Sequence, residues 1–442
     1  MRDITESDGS FVTTTAGDRE RERFSRRFNL AEGLLVMAFI LVVLWGCAYP
    51  FGVMLEIPGV RPGSTLLLVA GALYLLFVSP RLHGDTLSSW GLGDPWALFR
   101  SLRTATPLRR AVLAGVVAAL FVGLNVLNYR NWGEVSEFFN FDKLPLPPHF
   151  FETFPGSLMV VLFGSLLASV IVLFGIRYDN FGTAFATAMK IALPLLGLIM
   201  LAAYAQRGTA AFAHFSLRAF LIGAFGYVFW GFVQQLLFSS YFGTRLRKAF
   251  GPSSAPGNRR PAARVPEALK FAFAAALVLG PLAWLPIRLR FGGAAVPVSV
   301  LAGFVAAFGL FGGLYGWFYA VDRRRLLVAT LTGSCFGVIH INSYGLVAVT
   351  FLLGIFLSYV FMEERNRNLV ALGFIHGVLG SSFGMFFSKG QSGALKVDYG
   401  VGPWNVDDPS WGVLVVPALC VAGYLWVVWW FLRRDRALQG GV

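Results

Sequence analysis

The sequence predicts an all-α fold: a polytopic helical membrane protein of about twelve transmembrane helices. Three observations carry this. The 442 residues are 56% hydrophobic and only 14% charged, with a mean hydropathy of +0.65, whereas a soluble chain carries about a quarter charged residues. Apolar runs of about twenty residues recur along the chain, each long enough to cross a bilayer as a helix. Basic residues gather between alternate runs, as Lys and Arg do in cytoplasmic loops.

Taken in order, residues 1–28 are a polar tail containing Arg19, Arg21, Arg23, Arg26 and Arg27. This is not the pattern of a cleavable signal peptide, because the first apolar run is too long and starts too late. An N-terminal membrane region, 29–216, follows, with spans expected at 33–55, 64–80, 110–128, 157–176 and 185–205. Arg100, Arg103, Arg109 and Arg110 lie between its second and third spans, and acidic Glu134, Glu137, Asp142 and Glu152 between its third and fourth. That second segment contains "FFNFDKLPLPPHFFETFP" (138–155), whose aromatics suit the headgroup region of the non-cytoplasmic face. An ordinary interfacial loop is the plainer account of it, and a half-buried lid the alternative.

A core region, 217–388, holds spans at 218–243, 327–345, 346–362 and 369–388, with an inserted pair at 266–287 and 296–320. The stretch 389–442 supplies an outer loop, a last span at 411–432 and a basic tail. Basic clusters continue the alternation at Arg245, Arg247, Lys248, Arg259 and Arg260, then Arg323 to Arg325, Arg365 and Arg367, and Arg433, Arg434 and Arg436. The pattern places both termini in the cytoplasm and makes "GPSSAPGNRRPAARVPEA" (251–268) a cytoplasmic linker of flexible composition. The net charge of +14 is spread among these loops. It therefore reflects topology and attraction to anionic headgroups, and nucleic acid is not an expected partner. Cys47, Cys335 and Cys420 all fall in apolar spans and suggest no disulfide framework.

Polar groups inside the spans are the informative exceptions, because they are costly there and tend to face a bundle interior or a wet cavity. "WGFVQQLLFSSYFGTRLRKAF" (230–250) carries Gln234 and Gln235 side by side, and His340 and His376 lie in two later spans. At helical rise Gln234 stands roughly 16 Å from Arg245, His376 roughly 12 Å from Asn368, and His340 roughly 22 Å from Arg325. All three therefore reach the middle third of a membrane about 30 Å thick. Each residue taken singly reads as a helix–helix hydrogen bond; together, at one depth, they read as a site.

The surrounding sequences are "QQLLFSSYFGTRLRKAF", "SCFGVIHIN" and "NLVALGFIHGVLGSSF". They resemble, in order, the three motifs of the CPBP family of intramembrane proteases, also called the CAAX protease and bacteriocin-processing family. Those motifs are Glu-Glu-x-x-x-Arg, Phe-x-x-x-His and His-x-x-x-Asn. Phe336 and His340 match the second, and His376 matches the third in part. The resemblance covers roughly 217–388 and implies an intramembrane endopeptidase of a bacterial inner membrane, acting on a membrane-embedded or lipid-linked peptide without a cofactor. The departures are specific. Gln234 and Gln235 occupy the glutamate positions, Ser239 the arginine and Gly380 the asparagine, and the first two motifs are about a hundred residues apart. Placing the first motif at "FGLFGGLYGWFYAVDRRRLL" (308–327) gives the more usual spacing but no polar pair.

A glutamine amide offers one acceptor and two N–H donors and has no proton-accepting state near neutral pH. Gln234 can orient a water or donate to an oxyanion, but it cannot act as a base. Either His340 or His376 takes that role, or hydrolysis is absent. The candidate catalytic set is thus Gln234, Gln235, His340 and His376, and Phe336, Asn342 and Ser239 are candidate binding residues. Glu363 and Glu364 sit beside Arg365 and Arg367 and read as a salt-bridged loop. Cys335 lies about 140° around the helix from His340, which disfavours a thiol–imidazole pair within that helix. Two histidines without a carboxylate fall short of the usual metal set, so no metal is expected. Two other functions stay open: a catalytically silent relative that binds a membrane peptide or partner, and a small-molecule or ion transporter using Lys190. No internal repeat of the transporter kind is visible.

Overall fold

The computed structural model describes residues 16–138, 141, 146–147, 149–213, 215–250, 264–294, 296–341, 344–387 and 410–439. Candidate Asn342, most of the 251–268 linker and most of the outer loop after 389 lie outside these residues. Among the described residues every regular element is helical and there is no strand. In chain order the helices are α1 (Ala16–Leu41), α2 (Val60–Leu73), α3 (Ser79–His83), α4 (Pro95–Thr104), α5 (Pro107–Arg130), α6 (Trp132–Phe138), α7 (Phe154–Val170), α8 (Phe181–Arg207) and α9 (Leu217–Gln235). They continue as α10 (Gly243–Phe250), α11 (Val265–Ala274), α12 (Gly280–Phe291), α13 (Val298–Val321), α14 (Arg323–Val338), α15 (Tyr344–Phe361), α16 (Leu369–Phe387) and α17 (Val415–Gln439).

The twelve segments expected to span fall largely on helix, with one correction: α14 ends at Val338, so the expected span 327–345 gives way to a turn at 339–341 that carries His340, and residues 342–343 lie outside those described. Among the described residues, eight helical runs are long and apolar enough to cross a membrane. These begin at Ser25, Val60, Pro107, Phe154, Phe181, Val265, Val298 and Trp411. Leu346–Phe361 and Leu369–Ser382 are shorter apolar helices. The two remaining segments fall on α9 with its continuation and on α14, which opens with three arginines. Several long helices turn large apolar side chains outward: Leu66 and Leu310 are each 70% exposed. Continuous apolar faces of that kind do not suit water; they suit lipid.

The chain divides into two compact units. The first comprises the chain to Leu68, Arg245–Leu331 and the segment from Asp407. There α1 runs beside α17, and the Tyr49 hydroxyl accepts from the Ser410 N–H at 2.7 Å and donates to its carbonyl at 3.0 Å. Arg245 is fully buried; its Nε lies 3.5 Å from the buried Glu32 carboxylate and its Nη1 donates to Asn29 Oδ1 at 3.0 Å. Helices α11 and α13 approach through small residues. A Cβ on Gly312 would lie 2.3 Å from the Phe271 carbonyl oxygen, and one on Gly316 2.4 Å from that of Glu267. Such backbone contact is how membrane helices associate when lipid removes the hydrophobic drive.

The second unit comprises Val69–Thr244 and Thr332–Val406. Helix α16 packs along both α8 and α9. Gly373 and Gly377, one turn apart on α16, face the backbone of Val228 and Phe232, and a Cβ on Gly377 would come within 2.5 Å of the Val228 nitrogen. Asn368 caps the amino end of α16, its Oδ1 accepting from Val370 N at 3.1 Å, while its Nδ2 donates to the Arg177 carbonyl at 2.8 Å. Buried Arg177 pairs with Asp179 and Glu364 at 2.8 and 2.9 Å. Burial works against this charge, but the hydrogen bonds to the two carboxylates outweigh it and raise the Arg177 pKa. Nearby, the turn carrying Trp90 is pinned by Ser240 Oγ donating to the Trp90 carbonyl at 2.7 Å and by Leu369 N donating to that of Gly91 at 3.2 Å. These contacts anchor the amino end of α16, the helix that carries His376.

Candidate functional site

The candidate residues that the structure describes lie in the second unit. Helix α9 ends at Gln235 and the chain passes directly into a π-helical stretch, Leu236–Phe242. The wider turn of a π segment re-aims side chains and often occurs at functional sites. Here both Ser239 and Ser240 are buried: Ser240 reaches the Trp90 turn and Ser239 turns back to Gln235.

Gln235 is fully buried. Its Nε2 lies 3.3 Å from His376 Nδ1 on α16, and its Oε1 accepts from Ser239 Oγ at 2.5 Å. Ser239 Oγ lies 3.2 Å from the hydroxyl of Ser358 on α15. An amide nitrogen only donates, so His376 Nδ1 is the acceptor and the imidazole proton resides on Nε2.

His340 lies in the turn after α14, with Nδ1 2.8 Å from the Phe336 carbonyl oxygen. A carbonyl only accepts, so this imidazole carries its proton on Nδ1 and its lone pair on Nε2. The two histidines are therefore opposite tautomers, one offering a basic nitrogen and the other an N–H. Phe336, fully buried, stands beside both: its ring centroid lies 5.1 Å from that of His340 and 5.9 Å from that of His376. The imidazole centroids are consequently at most roughly 11 Å apart, the sum of those separations. Phe238 packs on the other side of Phe336, at 4.7 Å.

The structure thus brings Gln235, Ser239, Phe336, His340 and His376 together. Gln234, 8% exposed, is buried but makes no side-chain hydrogen bond to a described residue, and is not joined to them. Glu363 and Glu364 belong to the ion-paired loop before α16, with Arg365 and with Arg177 and Arg367. Lys190 is exposed on α8. Among the described residues no cluster of three or more His, Cys, Asp or Glu is placed to hold a metal ion. A cavity of about 300 Å³ in the same unit, lined by Leu102, Val117, Phe121, Ser169, Val172 and Leu173, does not include the site.

Ser358 was not anticipated from the sequence, where it is one hydroxyl in the apolar run of α15. Gly231 was also missed: a Cβ there would lie 2.8 Å from His376 Cβ, so its lack of a side chain is what lets α9 approach the imidazole. The spacing Gly373-x-x-x-Gly377 was the one readable signal of that close packing. Compared with known proteins, the chain matches no family model, no curated protein and no solved structure.

Proposed function

We propose that this chain is an intramembrane endopeptidase with a CPBP-like core. In this reading it has twelve spans, lies in a bacterial inner membrane with both termini cytoplasmic, and cleaves a membrane-embedded or lipid-linked peptide. The observation that carries the reading is the pair of buried imidazoles held in opposite tautomers beside Phe336. His340 Nε2 takes a proton from water as the water oxygen attacks the scissile carbonyl. His376 Nε2–H donates to the oxygen on which negative charge develops, with Gln234 as a second amide donor. The leaving amine then receives the proton from His340, and the C–N bond breaks. Neither step needs a metal or a carboxylate, which fits a glutamine pair at the position of the family's glutamates.

The test is peptide-terminus profiling of membranes from cells producing the wild-type protein, His340→Ala or His376→Ala. New peptide termini in the wild type that vanish in both variants support the proposal. Identical profiles in all three contradict it. One observation favours a second reading, that of a silent relative holding a membrane peptide: the Gln235 amide is engaged on both sides within the protein, as a structural strut would be. Retained partner binding with no cleavage product would decide for it.

A further inference from the structure

We propose that Ser239 is a positioning residue that determines which nitrogen of His376 carries its proton. An amide is nearly symmetric in shape. Rotating the Gln235 terminus by half a turn exchanges C=O and NH2 with almost no change of shape, so packing alone does not choose between the two. The neighbours choose. On one side lies Ser239 Oγ at 2.5 Å, on the other His376 Nδ1 at 3.3 Å. Hydrogen bonds of the O–H···O kind extend down to about 2.5 Å, whereas N–H···O bonds begin near 2.7 Å. The short contact therefore belongs to the carbonyl, and the amide N–H is left facing the imidazole.

The choice propagates along the line. Ser239 has a single hydroxyl proton. With that proton given to Gln235, its oxygen is free to accept from Ser358, 3.2 Å away. The direction of donation is then Ser358 to Ser239, Ser239 to Gln235, and Gln235 to His376. The four side chains come from α15, the π stretch, the end of α9 and α16. All but His376 are 1% exposed or less, so bulk water does not compete for these bonds. Were Ser239 to withdraw its proton from Gln235, the amide would have to turn over to stay bonded, and the imidazole proton would have to move with it.

The consequence is a division of labour. His340, anchored through Nδ1–H to the Phe336 carbonyl, keeps a lone pair on Nε2. His376, accepting at Nδ1, keeps a proton on Nε2. A pair of groups offering one base and one donor suits a group that is itself an acceptor, such as a peptide carbonyl, together with a water. This consequence rests on the hydrolytic reading above; the tautomer does not.

Nitrogen-15 solid-state NMR of the full chain in lipid bilayers tests the proposal without any substrate. The chain has five histidines, so histidine-selective labelling gives a tractable spectrum, and His376→Gln assigns the signal. The expected result at neutral pH is a pyridine-type Nδ1 and a pyrrole-type Nε2 for His376, with His340 showing the reverse. Ser239→Ala should raise the Nδ1–H to Nε2–H ratio of His376 roughly five-fold, the bias of about one neutral hydrogen bond, whereas Ser358→Ala, which removes a bond available in either sense, should move it less. Ser239→Thr, which keeps the hydroxyl, should restore the wild-type ratio. A pyrrole-type Nδ1 in wild-type His376, or a ratio unmoved by removing the Ser239 hydroxyl, overturns the proposal. Should Ser239→Ala fail to fold, Ser239→Cys, a weaker donor of similar size, should shift the ratio in the same direction, and an unmoved ratio there overturns the proposal equally. A correct tautomer in a protein that cleaves nothing would leave the line intact and remove only the hydrolytic reading.

Discussion

Gln235 and His376 stand 141 positions apart in the chain and share a buried hydrogen bond of 3.3 Å, from the amide nitrogen to Nδ1. A contact of this length between polar groups on different helices requires the helices themselves to lie close. Glycines make that possible: Gly231 on α9, and Gly373 and Gly377 on α16. The site is thus a product of backbone approach first and of polar chemistry second.

Gly231→Ala should separate the two helices. The added methyl would lie 2.8 and 2.9 Å from His376 Cβ and Cγ, closer than packed carbons tolerate. Overpacking of this kind costs about 1–3 kcal/mol, more than the roughly 1 kcal/mol that alanine gains over glycine in a helix. Gly197→Ala on α8, where nothing lies within 4 Å of the new carbon, should be neutral or slightly stabilising. Thermal unfolding in detergent checks both, and equal midpoints for the two variants would contradict the packing account.

The buried Arg245–Glu32 pair predicts an asymmetry between single and double replacement. Arg245→Met leaves the Glu32 carboxylate, 6% exposed, without the guanidinium 3.5 Å away, and should destabilise the fold by about 3–5 kcal/mol. Replacing both with methionine should recover most of that loss, because no buried charge is then left uncompensated. Chemical denaturation of the three variants measures the difference. Additive losses would show that the two charges act separately.

Asn368→Ala should loosen the helix that bears His376. The substitution removes the cap on Val370 N and the bonds to the Arg177 carbonyl and Asn180 Oδ1. Loss of a cap alone costs about 0.5–2 kcal/mol. Hydrogen exchange at the first turn of α16 should quicken while that of α13, in the other unit, stays unchanged. Protection as strong as in the wild type would show that Asn368 does not hold this end.

A pH effect is expected at the surface. His149 Nδ1 lies 3.0 Å from Glu152 Oε1, and this hydrogen bond, with the attraction of the carboxylate, raises the His149 pKa above its ordinary 6.5. The pairing is present in full below pH 6.5 and is lost as pH rises through the elevated folded value. Glu152→Gln should return the His149 titration toward 6.5, as followed by NMR. A titration unmoved by that change would mean that the pair does not form in solution.

Much of the helical plan was readable because membrane helices announce themselves by length and apolarity, although the end of α14 at Val338, short of His340, was not, since apolar residues continue past it. The candidate polar residues were readable for the converse reason: Gln235, His340 and His376 stand out against apolar surroundings. Ser358 and Ser239 did not stand out as partners, since hydroxyls in helices commonly bond their own backbone. The π-helical stretch after Gln235 left no trace in composition, because one extra residue per turn changes no hydropathy pattern. The anchoring of Arg177 and Asn368 depends on loops that converge only in three dimensions.

The central claim is that His340 and His376 divide base and donor roles in the hydrolysis of a membrane peptide. Its most direct test is oxygen-isotope labelling. Proteoliposomes containing the purified protein and a membrane-peptide extract are incubated in water enriched in oxygen-18, and the peptides are read by mass spectrometry. The account predicts new carboxyl termini carrying one heavy oxygen with the wild-type protein, and none with His340→Ala. No labelled termini with the wild type, or equal labelling with both proteins, would contradict it.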